Sequence, residues 1–168
     1  MRDVDYRVVA EKFIRQLGDG GGVFLLAKSG DKINIMTIGW ASIGRIWTKP
    51  IMMVAVKKSR FTFDIIDKAN SFTINIPITD MRETLTFCGT KSGRDFDKFK
   101  ECNLTFIPAQ KVETPILDIR GYHCECRIVH KSVMNPAYLS EEYRKTYYSD
   151  EDYHILYFGE ILACYINE

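Results

Sequence analysis

Short apolar or alternating runs, bounded by turn residues, predict six β-strands in this chain. Residues 32–38 show the alternation: Ile33 and Ile35 fall on one face, and Asn34 and Met36 fall on the other. Strands of this kind, joined by short turns, fit an antiparallel barrel. The predicted strands cover residues 23–27, 32–38, 51–56, 72–76, 122–129 and 153–166.

Three helices are predicted from helical spacing of apolar residues and from capping residues. The first follows Asp5, a candidate N-cap, and ends at Gly18. Ser59 is a candidate N-cap for the second, and Thr79 precedes the third, over residues 81–87. The sequence therefore predicts a mainly β fold with flanking helices.

Small side chains and two tryptophans interrupt the strand pattern between residues 39 and 47. Small residues let a flat ligand approach the main chain, whose N–H groups can donate hydrogen bonds to it. The alternative is two core strands joined by an ordinary loop. The residues concerned are Gly39, Trp40, Ala41, Ser42, Gly44 and Trp47.

Basic and hydroxyl side chains gather at residues 57–62, where the second helix is predicted to begin. Unsatisfied main-chain N–H groups at a helix start favour anions, so this cluster predicts a phosphate site. A plain capped helix with solvated basic residues is the alternative.

Composition narrows the class of protein. The length of 168 residues favours a single domain, residues 1–168. The net charge of +1 indicates no broad basic surface for nucleic acid or membrane. No signal peptide is indicated at the N-terminus. Residues 134–149 are polar and tyrosine-rich, which predicts a surface insertion with a short helix; the alternative is a segment that helps cover the ligand site or meets a second subunit.

The five cysteines form no regular framework, which favours a reducing cytoplasm. Cys124 and Cys126 would share one face of a strand. We interpret them as structural thiols, with a metal or redox pair as the alternative, and we predict no metal site.

Four motifs recur in the order of a known family. They are N-x-M-T-x-x-W at residues 34–40, C-G-x-x-S-G-R-D-x-D-K-F at 88–99, H-x-E-C at 123–126 and H-x-x-x-x-G-E-I at 154–161. From about residue 23 to 163 the chain resembles the flavin reductase-like family, the FMN-binding split barrels that include flavoredoxins. The resemblance implies a Greek-key split β-barrel, typically a homodimer with FMN near the subunit interface.

The resemblance also implies which residues contact FMN. The residues expected around the isoalloxazine ring are Asn34, Met36, Thr37, Ile38, Trp40, Ala41, Ser42 and Ile43. Those expected at the phosphate and ribityl chain are Ser59, Arg60, Thr62 and Lys98, with Lys98 as a mobile positive charge.

Five further positions are candidates. Ser92 and Gly93 can offer a hydroxyl and main-chain donors to an anionic group or to the polar edge of a flavin. His123 is a candidate for the surroundings of the flavin, although a lone strand histidine is often structural. His154 is the candidate catalytic residue beside a nicotinamide or the flavin edge, and Phe158 could stack on the ring. The alternative for His154 and Phe158 is a place in the core.

By resemblance, the function is that of an FMN-dependent oxidoreductase passing electrons from NAD(P)H to a flavin, metal or protein acceptor. Residues 40–50 lack the S-F-x-S-V-S-x-x-P-P pattern of many NAD(P)H-dependent members and are closer to the flavoredoxin-like branch. The alternatives are therefore an FMN electron carrier with little NAD(P)H activity, or a non-redox binding module for a flat ligand. No glycine-rich dinucleotide motif follows a strand, so a Rossmann domain is not indicated.

Overall fold

A computed structural model describes residues 1–168 as one antiparallel, eight-stranded sheet with short helices around it. Seven strands follow the order β3-β2-β6-β9-β10-β5-β4, and β1 pairs with the far end of β10. The strands of this sheet are β1 (Arg2–Asp3), β2 (Val23–Ser29), β3 (Lys32–Ile38), β4 (Ala41–Ile46), β5 (Lys49–Lys57), β6 (Ser71–Pro77), β9 (Gly121–Val133) and β10 (His154–Asn167). A separate hairpin pairs β7 (Phe106–Ile107) with β8 (Ile116–Leu117).

The two ends of the sheet approach each other beyond β3. The main-chain N–H of Ala55, on β5, donates to the carbonyl of Trp40 at 3.2 Å, so the residues between β3 and β4 bridge back to β5. The predicted mainly β, antiparallel, single-domain fold with flanking helices is confirmed.

Five α-helices and one 3-10 helix lie outside the sheet. As predicted, the first begins after Asp5, whose carboxylate accepts a hydrogen bond from the Arg7 N–H at 2.8 Å. The helices are α1 (Tyr6–Gly18), α2 (Phe63–Ile66), α3 (Arg82–Thr90), α4 (Lys98–Glu101) and α5 (Glu141–Tyr147), and the 3-10 helix is Pro136–Tyr138. None of them has the length and apolar character that a membrane-spanning helix needs.

The helix predicted to begin at Ser59 starts later. α2 is only four residues long, and no side chain caps it. The Ser59 hydroxyl donates instead to Asp152, and the Thr62 hydroxyl accepts from Asn34. The prediction of a Ser59 N-cap was therefore wrong, because long-range partners take both hydroxyls.

The stretch of small residues forms an edge strand, not an irregular crossing. Ala41 to Ile46 make up β4, which pairs with β5 in a hairpin. Trp47 and Thr48 form its turn, with φ values of 52° and 61°, the left-handed conformation that two-residue hairpin loops favour. Only Gly39 and Trp40 stay outside the strand, so the region open to a ligand is shorter than predicted.

Candidate functional site

Two adjoining clefts lie where β3, α2, α3 and the start of β10 meet. The first, which we call the basic cleft, has a volume of about 380 Å³, and five basic and two acidic side chains line it. The second, the aromatic cleft, has a volume of about 390 Å³ and is bordered by Trp40 and Tyr147. Met36, Lys57 and Arg60 line both clefts, so one elongated ligand could occupy the two together.

Lys98 is the most buried cation of the basic cleft, with only 4% of its surface exposed. Asp97 caps α4 by accepting from the Lys100 N–H, and this places Lys98 at the first position of the helix. The Lys98 ammonium donates to the carbonyls of Cys88 at 2.7 Å and Ile35 at 3.0 Å. The prediction of a mobile charge was wrong, since β3 and α3 hold the ammonium in place.

The Lys98 ammonium has no carboxylate partner: it forms hydrogen bonds to neutral carbonyls but no ion pair. Burial lowers the pKa of Lys98, because removal from water penalises the charged form. A buried cation with only neutral partners favours an incoming anion. The basic cleft is therefore suited to an anionic group such as a phosphate.

Asn34, Thr62 and Gly93 form the wall beside Lys98. The Asn34 amide donates to the Thr62 hydroxyl at 2.8 Å, and both side chains are buried. Gly93 passes so close that an added Cβ would lie 2.5 Å from Asn34 Oδ1 and 2.5 Å from Phe61 Cδ1. Only glycine fits at this point of the wall.

Gly93→Ala should lower the free energy of unfolding by about 1–3 kcal/mol, because the new methyl group must displace buried Asn34 or Phe61. Chemical denaturation measures the change. Gly44→Ala is the matched control, since a Cβ there meets nothing within 4 Å. A Gly93→Ala variant as stable as the control would contradict the close packing of this wall.

Other side chains of the basic cleft are already hydrogen-bonded. One Arg60 N–H donates to the Gly89 carbonyl at 3.1 Å, which orients the guanidinium at the junction of the clefts. Lys57 pairs with Asp150 at 3.0 Å, and the Ser59 hydroxyl donates to Asp152 at 2.5 Å. Ser92 accepts from the Arg94 N–H, which shapes the loop around Gly93.

The aromatic cleft combines exposed rings with one buried histidine. Trp40 is 46% exposed, and its ring lies 5.4 Å from Tyr147 and 4.7 Å from His154, measured between centroids. His154 Nδ1 shares a hydrogen bond of 2.8 Å with the Tyr148 hydroxyl. Burial, and then the nearby Lys57, lower the pKa of His154 to about 4. Near neutral pH its imidazole is uncharged and can offer a hydrogen bond to a ligand.

Most of the predicted cofactor residues meet at these clefts. Met36, Thr37, Ile38, Trp40 and His154 line the aromatic cleft. The basic cleft has Asn34, Met36, Ser59, Arg60, Thr62, Ser92, Gly93 and Lys98 in its wall.

Five predicted residues lie outside both clefts. Ala41, Ser42 and Ile43 belong to the edge strand β4, where Ala41 and Ile43 pack on the core. Phe158 lies farther along β10, with its ring 5.3 Å from His130. None of these four residues lines either cleft.

His123 is the fifth. It is fully buried, and its Nδ1 lies 2.8 Å from Asn75 Oδ1. The neighbouring cysteines Cys124 and Cys126 are buried in the main core with Cys164. His123 therefore has a structural position, the alternative that the sequence left open.

No sequence motif pointed to the acidic residues of the basic cleft. Asp150 and Asp152 contact Lys57 and Ser59 across 93 residues of chain. Tyr147, from residues 134–149, borders the aromatic cleft, which agrees with the alternative that this segment helps to cover the site. Local sequence patterns cannot reveal such contacts, because only the fold brings residues so far apart in the chain to the same cleft.

The fold and the clefts define a class of protein: an antiparallel barrel with a basic cleft that continues into an aromatic one. Residues 20–168 match the family described as "Flavin reductase like domain". The chain belongs to this family.

Relatives agree with this assignment. An uncharacterized protein of Pyrococcus abyssi is 28% identical to this chain over 137 residues. The match covers 80% of this chain and 66% of the relative, so this chain spans slightly under two thirds of that protein. A flavoredoxin from Methanosarcina acetivorans is 26% identical with a TM-score of 0.68, covering 87% of this chain and 68% of that one. Flavoredoxin of Desulfovibrio vulgaris (Miyazaki F) has the same fold, at 23% identity and a TM-score of 0.68. The match covers 88% of this chain and 70% of the flavoredoxin chain. The family supports a flavin-related role.

Proposed function

We propose that this protein is an FMN-binding oxidoreductase of the flavin reductase type. It passes electrons from NAD(P)H through FMN to a flavin, a metal or a protein acceptor. FMN supplies the hydride chemistry when bound, and the protein supplies binding, orientation and electrostatics.

The proposal assigns the two clefts to two parts of FMN. Lys98, Arg60, Thr62 and Ser92 would hold the phosphate and ribityl chain in the basic cleft. Met36, Thr37 and Trp40 would border the ring in the aromatic cleft. His154 lies at the far wall, where its neutral imidazole could hydrogen-bond to the ring edge or to a second substrate.

The observation that carries the proposal is the Lys98 ammonium. It is buried, it is fixed by two carbonyls, and it has no carboxylate partner. In the cleft that it lines, basic side chains outnumber acidic ones five to two. A phosphate would neutralise this excess, and the aromatic cleft that joins it suits a flat ring.

Cofactor uptake tests the proposal. The purified protein, incubated with FMN and desalted, should keep a yellow cofactor that is identified as FMN after denaturation. A steady-state assay with NADH and NADPH then measures nicotinamide oxidation. A protein that retains no flavin and stays colourless would overturn the proposal and leave the non-redox binding module.

A flavoredoxin-like electron carrier is the second candidate, supported by the two aromatic rings at the border of the aromatic cleft. Tyr147 packs edge-on against Trp40, and a nicotinamide that stacks on the flavin would have to enter beside these rings. Poor access for a nicotinamide would leave FMN binding intact. Anaerobic reduction by NAD(P)H, compared with reduction by a low-potential protein donor, separates the candidates, since rapid nicotinamide turnover excludes the carrier.

We also propose a homodimer in the cytoplasm, with no nucleic-acid or membrane partner. Support for the dimer comes from three exposed apolar side chains: Ile46 and Trp47 at the end of β4, and Val129, which lines a small pocket with Trp47. The net charge of +1 gives no reason to expect a nucleic-acid or membrane partner. Light scattering in solution gives the subunit number.

A further inference from the structure

Residues 136–153, which join β9 to β10, form a strap beside both clefts. Its helix, α5, has no buried residue. Tyr148 anchors the strap: it is buried, and its hydroxyl shares a hydrogen bond of 2.8 Å with His154 Nδ1. Apart from the contacts of Tyr147 and Tyr148 with Trp40 and His154, the strap depends on polar contacts for its position.

Two carboxylates provide polar contacts between the strap and the basic cleft. Asp150 accepts from the Lys57 ammonium at 3.0 Å, and Asp152 accepts from the Ser59 hydroxyl at 2.5 Å. The Asp152 N–H also donates to Asp150 Oδ1 at 3.2 Å, which fixes the two residues relative to each other. An ammonium and a hydroxyl are also donors that a phosphate uses.

We propose that Asp150 and Asp152 compete with the cofactor phosphate for Lys57 and Ser59, so that the strap is a latch released by phosphate. The inference rests on the proposed function, because it concerns regulation of the same cleft. A phosphate carries up to two negative charges, and it cannot share these donors with two carboxylates without repulsion. Its binding therefore transfers Lys57 and Ser59 from the strap to the ligand and frees the acidic end of the strap.

The other acidic residue near the basic cleft differs from this pair. Asp64 pairs with Arg94 at 3.0 Å, but Arg94 also donates to the Ser59 carbonyl, so this contact joins neighbouring loops. Asp64 lies on α2, outside the strap. The latch is therefore confined to Asp150 and Asp152.

Removal of the two charges tests the latch. Asp150→Asn with Asp152→Asn should lower the Kd of the full-length protein for FMN about tenfold, because the phosphate no longer competes with carboxylates. The Kd for riboflavin, which has no phosphate, should change less than about twofold. Glu141→Gln with Glu142→Gln is the matched control, since it removes the same charge from exposed positions of the same strap.

Inorganic phosphate provides a test that needs no flavin. Its Kd, followed by amide chemical shifts, should also fall about tenfold in the Asp150/Asp152 variant and stay unchanged in the control. Hydrogen exchange in residues 141–152 of the wild type should quicken when phosphate or FMN binds. If the Asp150/Asp152 variant unfolds at the same temperature as the wild type but has an equal or higher Kd for phosphate, the proposed latch is wrong. Failure of the wild type to bind FMN would overturn the proposed function, while the phosphate titration would still decide the latch.

Discussion

Lys98→Met should weaken FMN binding by about 30- to 100-fold, which corresponds to about 2–3 kcal/mol for one charged hydrogen bond to the phosphate. Riboflavin binding should change less than about threefold, because riboflavin places no anion beside the ammonium. The reason for a large effect is burial: the ammonium is 4% exposed, so water screens it little.

Quenching of flavin fluorescence measures both dissociation constants. Lys100→Met is the matched control, since Lys100 lies two positions along α4 and its side chain is exposed. Lys98→Met also removes donors from the carbonyls of Ile35 and Cys88, so its unfolding must be measured separately. Equal losses of FMN and riboflavin would mean that Lys98 acts through the fold and not through the phosphate.

Sequence patterns predicted these strands because their apolar residues are buried, on one face or on both. The buried residues of β2, β6 and β10 alternate or run together as their patterns required. β4 escaped prediction, since an edge strand with Ser42 and Gly44 on its open face lacks a clear apolar period. Small side chains carry no sequence signal for the pairing of β4 with β5, which depends on the tertiary structure.

The basic cleft was predictable only in part. The motif at residues 88–99 and the basic cluster at residues 57–62 identified two loops that line this cleft. The burial of Lys98 was not visible, because lysine is usually exposed and its two carbonyl partners come from β3 and α3. The local sequence shows which charged residues are present, but it does not show which of them are buried away from solvent in the folded protein.

The predicted reason for a phosphate site at residues 57–62 also changed. A helix N-terminus was expected there, yet α2 is only four residues long and begins at Phe63. Side chains from separate loops supply the positive charge instead, with Lys98 opposite Arg60 in the same cleft. The prediction of a phosphate site therefore depends on these side chains and not on a helix N-terminus.

The protein should lose stability as the pH falls from about 6.5 to about 4, because two of its histidines are buried in the neutral form. Burial lowers the pKa of His123 and of His154 to about 4 in the folded state, from an ordinary value of 6.5. In this range the unfolded chain binds more protons than the folded one. Protons therefore favour unfolding, and stability is fully present only above the unfolded value.

His123 is fully buried, and its surroundings explain why it stays neutral. Its Nδ1 faces Asn75 Oδ1, which also accepts from the Leu117 N–H, so the network assigns the proton to Nδ1. A second proton would have to sit on Nε2, which is buried without a hydrogen-bond partner. The shift of the pKa from 6.5 to about 4 corresponds to a loss on the order of 3 kcal/mol for His123 alone.

Urea denaturation at a series of pH values measures this dependence. His123→Gln should reduce the slope of the unfolding free energy against pH between about 6.5 and 4, whatever it does to the stability at neutral pH. His154→Gln should reduce the slope in the same direction. The chain has three histidines, and the third, His130, is exposed and serves as the control, so that His130→Gln should preserve the slope. A wild-type slope retained by both His123→Gln and His154→Gln would show that other groups, and not the buried imidazoles, take up the protons on unfolding.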